Sequence, residues 1–381
     1  MNKRTFIVLL ALIAVALVAW VGCTAAQTTA KPVDVNAIGQ QWWGSAHADV
    51  KSEAFSHWNG EEVAEGADLP AVPPTCAKCH SSSGFVDYIG GDGSEAGKVD
   101  APGLVMQGVQ CSACHNSAAA AYTDVTLASG TVLKAGADAV CSTCHSGMGS
   151  GPGVDKNKLV VAAGAGADDT VLEKSSLMGA HYAHAAATHA GTDGKSGYEY
   201  AGKTYVGTFV HDEKVNQCTE CHDPHTLHIV KAAGSEDSTC ATCHSNVKSY
   251  EDYRNVPGKV DYDGNGTVEP VATEIANMET LLKAAITKYS AEKLGSALGF
   301  NFDAYPYAYI DTNADGKIDE TEGVFANGYN TFSPRLLRAG FNLMFSHKEP
   351  GAYVHNAKYV LQLMYDSIAD LGGDVAGLTR P

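Results

Sequence analysis

Apolar positions are spread unevenly along the 381 residues, and their spacing divides the chain. Phe6–Trp20 is an unbroken apolar run behind Lys3 and Arg4, the length of a signal-peptide core rather than of a membrane span. Residues 24–40 are rich in Ala, Thr and Gln, show no periodicity, and predict a tether. Residues 41–70 gather Trp42, Trp43, His47, His57 and Trp58. Gly-, Ala- and Asp-rich stretches such as 146–170 predict surface loops, with a few short helices around them.

From about residue 251 the period becomes helical. Ile275, Met278, Leu282, Ile286 and Tyr289 recur on one face, after Pro270 and before Gly295. Ser333 and Pro334 open a second helix, with Leu337, Phe341, Met344 and Phe345 as its buried stripe. A third is predicted from about Ala352 to Leu371, ending at Gly372–Gly373.

Five Cys-x-x-Cys-His motifs lie in the less regular part: Cys76, Cys79 and His80; Cys111, Cys114 and His115; Cys141, Cys144 and His145; Cys218, Cys221 and His222; Cys240, Cys243 and His244. Each reads as a c-type haem attachment site, with two thiols for thioether bonds and an adjacent histidine to ligate the iron. Zinc knuckles are the competing reading, but zinc does not require a histidine directly after the second cysteine every time. First cysteines are 35, 30, 77 and 22 residues apart, too irregular for a solenoid.

Ten of the 11 cysteines sit in these motifs, so no pair is left for a structural disulfide. The eleventh, Cys23, ends Val-Gly-Cys behind the apolar run, which resembles the lipobox of bacterial lipoproteins although Trp20 stands where Leu is usual. Cleavage before Cys23 and lipidation of its thiol are expected, with a plain secretory cut near Ala25 or Ala26 and an uncleaved anchor as the alternatives. Any of the three places the chain outside the cytoplasm.

The fold class expected is therefore mainly α with extensive loops. Residues 1–22 read as a lipoprotein signal peptide and 23–40 as the tether. A haem-packed domain of low regular secondary structure follows at 41–250, then a helical lobe at 251–381. Charged residues make up 18%, and the formal charge is −17. That balance excludes nucleic acid as a partner, since phosphate binding needs clustered Lys and Arg.

Two acidic loops interrupt the helical lobe. Asp311, Asn313, Asp315 and Asp319 stand at positions 1, 3, 5 and 9 of a 12-residue calcium loop. Gly316 stands at 6, Lys317 offers its carbonyl at 7, and Glu322 closes position 12. Pro306 in the preceding aromatic run argues against an entering helix, so an EF-like loop is expected rather than a paired EF-hand. The other loop, Asp261, Asp263, Asn265 and Glu269, begins equally well but has Ala272 at position 12, so Glu274 or another segment must close it. One calcium ion is expected, and a second is open.

Ten histidines lie outside the motifs, enough to supply a sixth ligand to every iron. His225 follows His222 by three residues and cannot easily meet the same iron from the far side, so it is expected to reach a neighbouring haem. His211 can bridge similarly, His355 would tie the helical lobe to a haem, and His47 suits an early one. His189, His228 and His347 read as ordinary surface histidines.

Several stretches resemble the large multihaem c-type cytochromes of metal-reducing anaerobes: Trp43-Gly-Ser-Ala-His47-Ala-Asp49, Glu53-Ala-Phe-Ser-His57-Trp58, Gly179-Ala-His181-Tyr182, Gly197-Tyr-Glu-Tyr200, Cys221-His-Asp-Pro-His225-Thr-Leu227 and Pro350-Gly-Ala-Tyr-Val-His355-Asn356. The similarity runs from about residue 41 onward. It implies bis-histidine ligation with His47, His181, His211, His225 and His355 as distal ligands, and His57 and His184 in reserve. It further implies single-electron transfer rather than catalysis, redox proteins or extracellular acceptors as partners, and a lipid anchor at the cell surface or in the periplasm. The group includes carriers that polymerise, which admits a homopolymer or scaffold subunit. The enzyme alternative is a pentahaem nitrite-reductase type, whose open haem carries Cys-x-x-Cys-Lys; no motif here ends in Lys.

Overall fold

The computed structural model describes residues 33–60, 69–212, 215–229, 243–244 and 250–381. Cys23, Cys240 and the proposed signal segment lie outside them.

Helix Val271–Leu294 starts behind Pro270 and ends at Gly295, whose φ of +74° is left-handed and costs glycine little. Its buried face is Ile275, Met278, Leu282, Ile286 and Tyr289. Helix Pro334–His347 begins with the proline in its first turn, and the Ser333 side chain accepts a bond from the Leu336 N–H. Most of its length is buried, which makes it the centre of the lobe, flanked by Val271–Leu294 and Ala357–Asp370.

The third predicted helix is divided. Ala352–His355 forms one short turn, Asn356 leaves the helical region (φ −172°, ψ 73°), and Ala357–Asp370 begins again. The Asn356 side chain caps the second piece at Tyr359 N and donates to the carbonyls of His189 and Gly207. His355 consequently stands at the end of a separate turn, not in the first turn of the last helix.

The main core crosses the boundary expected at 250/251. Strand Leu172–Glu173 pairs antiparallel with Thr331–Phe332, and Val154, Val160, Ala180 and Ala187 join the apolar cluster of the helical lobe. Asn342 exchanges two hydrogen bonds with the backbone of Tyr198. Gly197 lies so close to Leu363 that an added Cβ would meet it at 2.3 Å. Arg338 reaches Asp155 and Asp168, and Arg335 reaches Asp169 and Asp370, clamping the same seam.

The N-terminal part is different. Its apolar clusters are small: Phe85, Ile89, Ala113 and Ala119 in one, Val125, Leu127 and Ala139 in another. Side chains alone bury little there, as is usual for small modules that depend on a bound group. Architecture is mainly α with long loops and four two-stranded ladders among the described residues. None of the described helices is long and apolar enough to cross a membrane.

Candidate metal centre

One helical turn carries the cysteines of each described motif: Pro74–His80, Cys111–Cys114, Ala139–Cys144 and Cys218–Cys221. Positions i and i+3 share a helix face, so both thiols of a pair point the same way. The histidine that follows ends the turn or caps it. Of the fifth motif, Cys243 and His244 are described.

Each motif histidine faces one other histidine. Ring centroids are 5.9 Å apart for His80 and His181, 6.1 Å for His115 and His225, and 6.5 Å for His145 and His47. They are 6.4 Å apart for His222 and His355, and 6.2 Å for His244 and His211. Two imidazoles that bind one metal from opposite sides, each by a bond of about 2 Å, have centroids about 6 Å apart. The residues present therefore fit a six-coordinate iron between each pair. His225 faces His115 of the second motif and not His222 of its own, across a turn in which Asp223 Oδ1 accepts from the N–H groups of His225 and Thr226.

Hydrogen bonds orient several rings. His80 Nδ1 lies 2.7 Å from Ala54 O, His145 Nδ1 2.9 Å from Ala183 O, and His222 Nδ1 3.2 Å from Leu227 O. Donation from Nδ1 leaves the Nε2 lone pair for a metal. Burial, with a push from His145, brings His47 down to about 4; burial also lowers His80, His181 and His222. The lowering favours the neutral ring, the form a metal needs. His181 (φ +87°) and Ala183 (φ +47°) hold left-handed backbone that non-glycine residues avoid, so the turn presenting His181 is strained.

The motifs also touch one another. The first and third motifs meet through each thiol and the other helix's backbone, Cys79 Sγ lying 3.9 Å from Thr143 O and Cys144 Sγ 3.7 Å from Lys78 O. Asp138, at the head of the third motif's helix, accepts from Cys218 N at 3.2 Å, so the third motif also joins the fourth.

A protein-family model described as "Doubled CXXCH motif" matches residues 103–150, which contain the second and third motifs. C-type polyheme cytochrome OmcB of Geobacter sulfurreducens is 26% identical over 345 residues, covering 83% of this chain and 40% of that protein. The chain is a multihaem c-type cytochrome. C-type polyheme cytochrome OmcC of the same species is 24% identical over 384 residues, covering 84% of this cytochrome and 44% of the relative. The cytochrome thus spans less than half the length of these relatives. No solved structure matches it.

Among the described residues no motif histidine ring pairs with His57, His184, His189, His228 or His347; His189 is half-buried with His355 as a neighbour, not at the surface as its sequence suggested. His57 is exposed and paired with Glu53, while its neighbour Trp58 packs on His80. His184 is fully buried on Phe345, its Nε2 2.8 Å from the Phe345 carbonyl. His347 stacks on Phe302 and approaches Glu279, and His228 is exposed.

In the loop at 311–322, strand Ala308–Ile310 takes the place of an entering helix, as Pro306 suggested. Asp311 and Glu322 are buried, Gly316 N donates to Asp311 Oδ2, and Asp311 Oδ1 is buried without a partner. Glu322 accepts from Thr312 and from Asn313 N, which draws its carboxyl below the ordinary value. In the loop at 261–274, carboxylate oxygens of Asp261, Asp263 and Glu274 lie within 4.8 Å of one another. Glu274, from the first turn of helix Val271–Leu294, accepts from the N–H groups of Tyr262, Asp263 and Glu269 and so holds the loop closed.

Proposed function

We propose that this cytochrome is an extracytoplasmic electron carrier holding five c-type haems, each ligated by two histidines, anchored by a lipid on Cys23. The observation that carries this reading is the five-for-five pairing of motif histidines with His47, His181, His211, His225 and His355. Haem c supplies one-electron iron chemistry when bound. The chain's own residues attach it through paired thiols, orient the imidazoles through backbone carbonyls, and exclude water by burial. A histidine on each side leaves no coordination position for a substrate, which favours a carrier over a reductase. Redox proteins or extracellular acceptors are the partners this chemistry suits.

Low-temperature EPR of the oxidised protein, with haem content measured on the same sample, tests the reading. Five low-spin ferric haems and no high-spin signal are expected. A stoichiometric high-spin signal overturns it and calls for a reductase.

The same proposal assigns calcium to the 311–322 loop through Asp311, Asn313, Asp315, the Lys317 carbonyl, Asp319 and Glu322. The unpartnered buried Oδ1 of Asp311 supports it, because such an oxygen is costly without a ligand. The convergence of Asp261, Asp263 and Glu274 supports a second ion. Affinity of ~10⁻⁴–10⁻³ M is expected, as in extracellular modules. Calcium at ten times Kd should stabilise the fold by about 1.4 kcal/mol per site. Glu322→Gln should remove one binding event in calorimetry; an unchanged isotherm refutes the first site.

A further inference from the structure

Ligand tuning is unequal among the five histidine pairs. His80, His145 and His222 use Nδ1 toward backbone carbonyls. His355 instead lies 3.0 Å from Glu349 Oε1, and among the described residues it is the one paired imidazole bonded to a carboxylate. The Glu349 side chain is 2% exposed. Its Oε1 also accepts from Gly351 N at 2.9 Å, while Oε2 is buried with no hydrogen-bond partner.

The local sequence is built for this contact. Glu349 follows helix Pro334–His347, and Ala352–His355 turns back so that the His355 ring lies over Gly351. A Cβ at Gly351 would meet His355 Cε1 at 2.5 Å, its Nδ1 at 2.7 Å and Glu349 Oε1 at 2.9 Å. Only glycine leaves room for carboxylate and imidazole together. The break at Asn356 then keeps His355 on its separate turn, opposite His222. Of the nearby groups that can carry positive charge, Lys348 sits over the rings of Tyr182 and Tyr307, and the buried His184 also acts on Glu349 electrostatically.

We propose that Glu349 is a positioning and tuning residue for the His222/His355 site. Its buried carboxylate takes the Nδ1–H bond of His355, gives that ring anionic character and makes it a stronger donor. The oxidised iron there is thereby favoured, and the site works at a lower potential than with a neutral partner. The inference rests on the bis-histidine reading above.

The test is an EPR-monitored redox titration of the full-length holoprotein, wild type against Glu349→Gln and Glu349→Asp. One redox step should move to higher potential in Glu349→Gln while the others stay. All haems should remain low-spin, and Glu349→Asp should restore most of the shift. Superimposable titrations, or equal shifts in the two variants, overturn the role of the carboxylate charge. A new high-spin signal in Glu349→Gln overturns tuning in favour of simple support of His355. A high-spin haem already present in the wild type sinks the pairing itself, and this proposal with it.

Discussion

Replacing both Cys141 and Cys144 by alanine should lower the haem content by one per chain and, beyond that, prevent most of the protein from accumulating in folded form. The third motif packs against both the first and the fourth. Cys144 Sγ approaches Lys78 O and Cys79 Sγ approaches Thr143 O between the third and first motifs. Asp138 Oδ1 at the head of the third accepts from Cys218 N of the fourth, and His145 lies opposite His47 with its Nδ1 on the Ala183 carbonyl. The apolar clusters around it are only a few residues each, so little else fills the space. Truncating one buried aromatic side chain costs about 3–5 kcal/mol. A lost haem vacates a larger volume, and a whole domain is stable by only about 5–15 kcal/mol. The control is Cys111→Ala with Cys114→Ala, at a motif whose two thiols are exposed. It should lose one haem with a smaller fall in yield. Haem per chain and thermal midpoint measure both, and equal behaviour of the two double variants would refute the central place given to the third motif.

Phe345→Ala should destabilise the helical lobe by about 3–5 kcal/mol. Phe345 is wholly buried, with ring centroids 4.4 Å from His184, 6.1 Å from Tyr359 and 6.4 Å from Phe341. It joins three elements: its own helix, the Ala357–Asp370 helix and the segment that carries His181 and His184. Such a loss lowers the thermal midpoint by on the order of 5–10 °C in a chain of this size. Phe325, 73% exposed, supplies the comparison, and Phe325→Ala should change the midpoint little. A Phe345→Ala midpoint within a degree or two of wild type would show that the lobe repacks around the gap.

What was legible in the sequence is what depends on neighbours along the chain. Thioether attachment needs two thiols one helical turn apart and a histidine beside them, so the motifs announce themselves. Pro270, Gly295 and Ser333–Pro334 mark helix ends for the same local reason. Distal histidines have no such signature, because His47 finds His145 and His355 finds His222 only through the fold; the family likeness nominated them, and their partners were not readable. The split at Asn356 was hidden because apolar spacing continues through it. What breaks the helix is a pair of long-range bonds, to the carbonyls of His189 and Gly207. The seam at Leu172 and Phe332 was hidden likewise, since a two-residue ladder has no period to detect. Glu349 was passed over because a lone glutamate before Pro-Gly looks like any surface turn.

The five histidine pairs are interleaved along the chain rather than nested or side by side. His47–His145 overlaps His80–His181, which overlaps His115–His225, which overlaps both His211–His244 and His222–His355. Every peptide bond from His47 to His355 is therefore enclosed by at least one pair. With metal between each pair, a protease that cuts any single loop in this span releases nothing, because the two fragments remain linked by a thioether on one side and a coordinate bond on the other. With metal between His222 and His355, a cut at residue 250 would likewise leave the two parts joined, since those histidines lie on opposite sides of it.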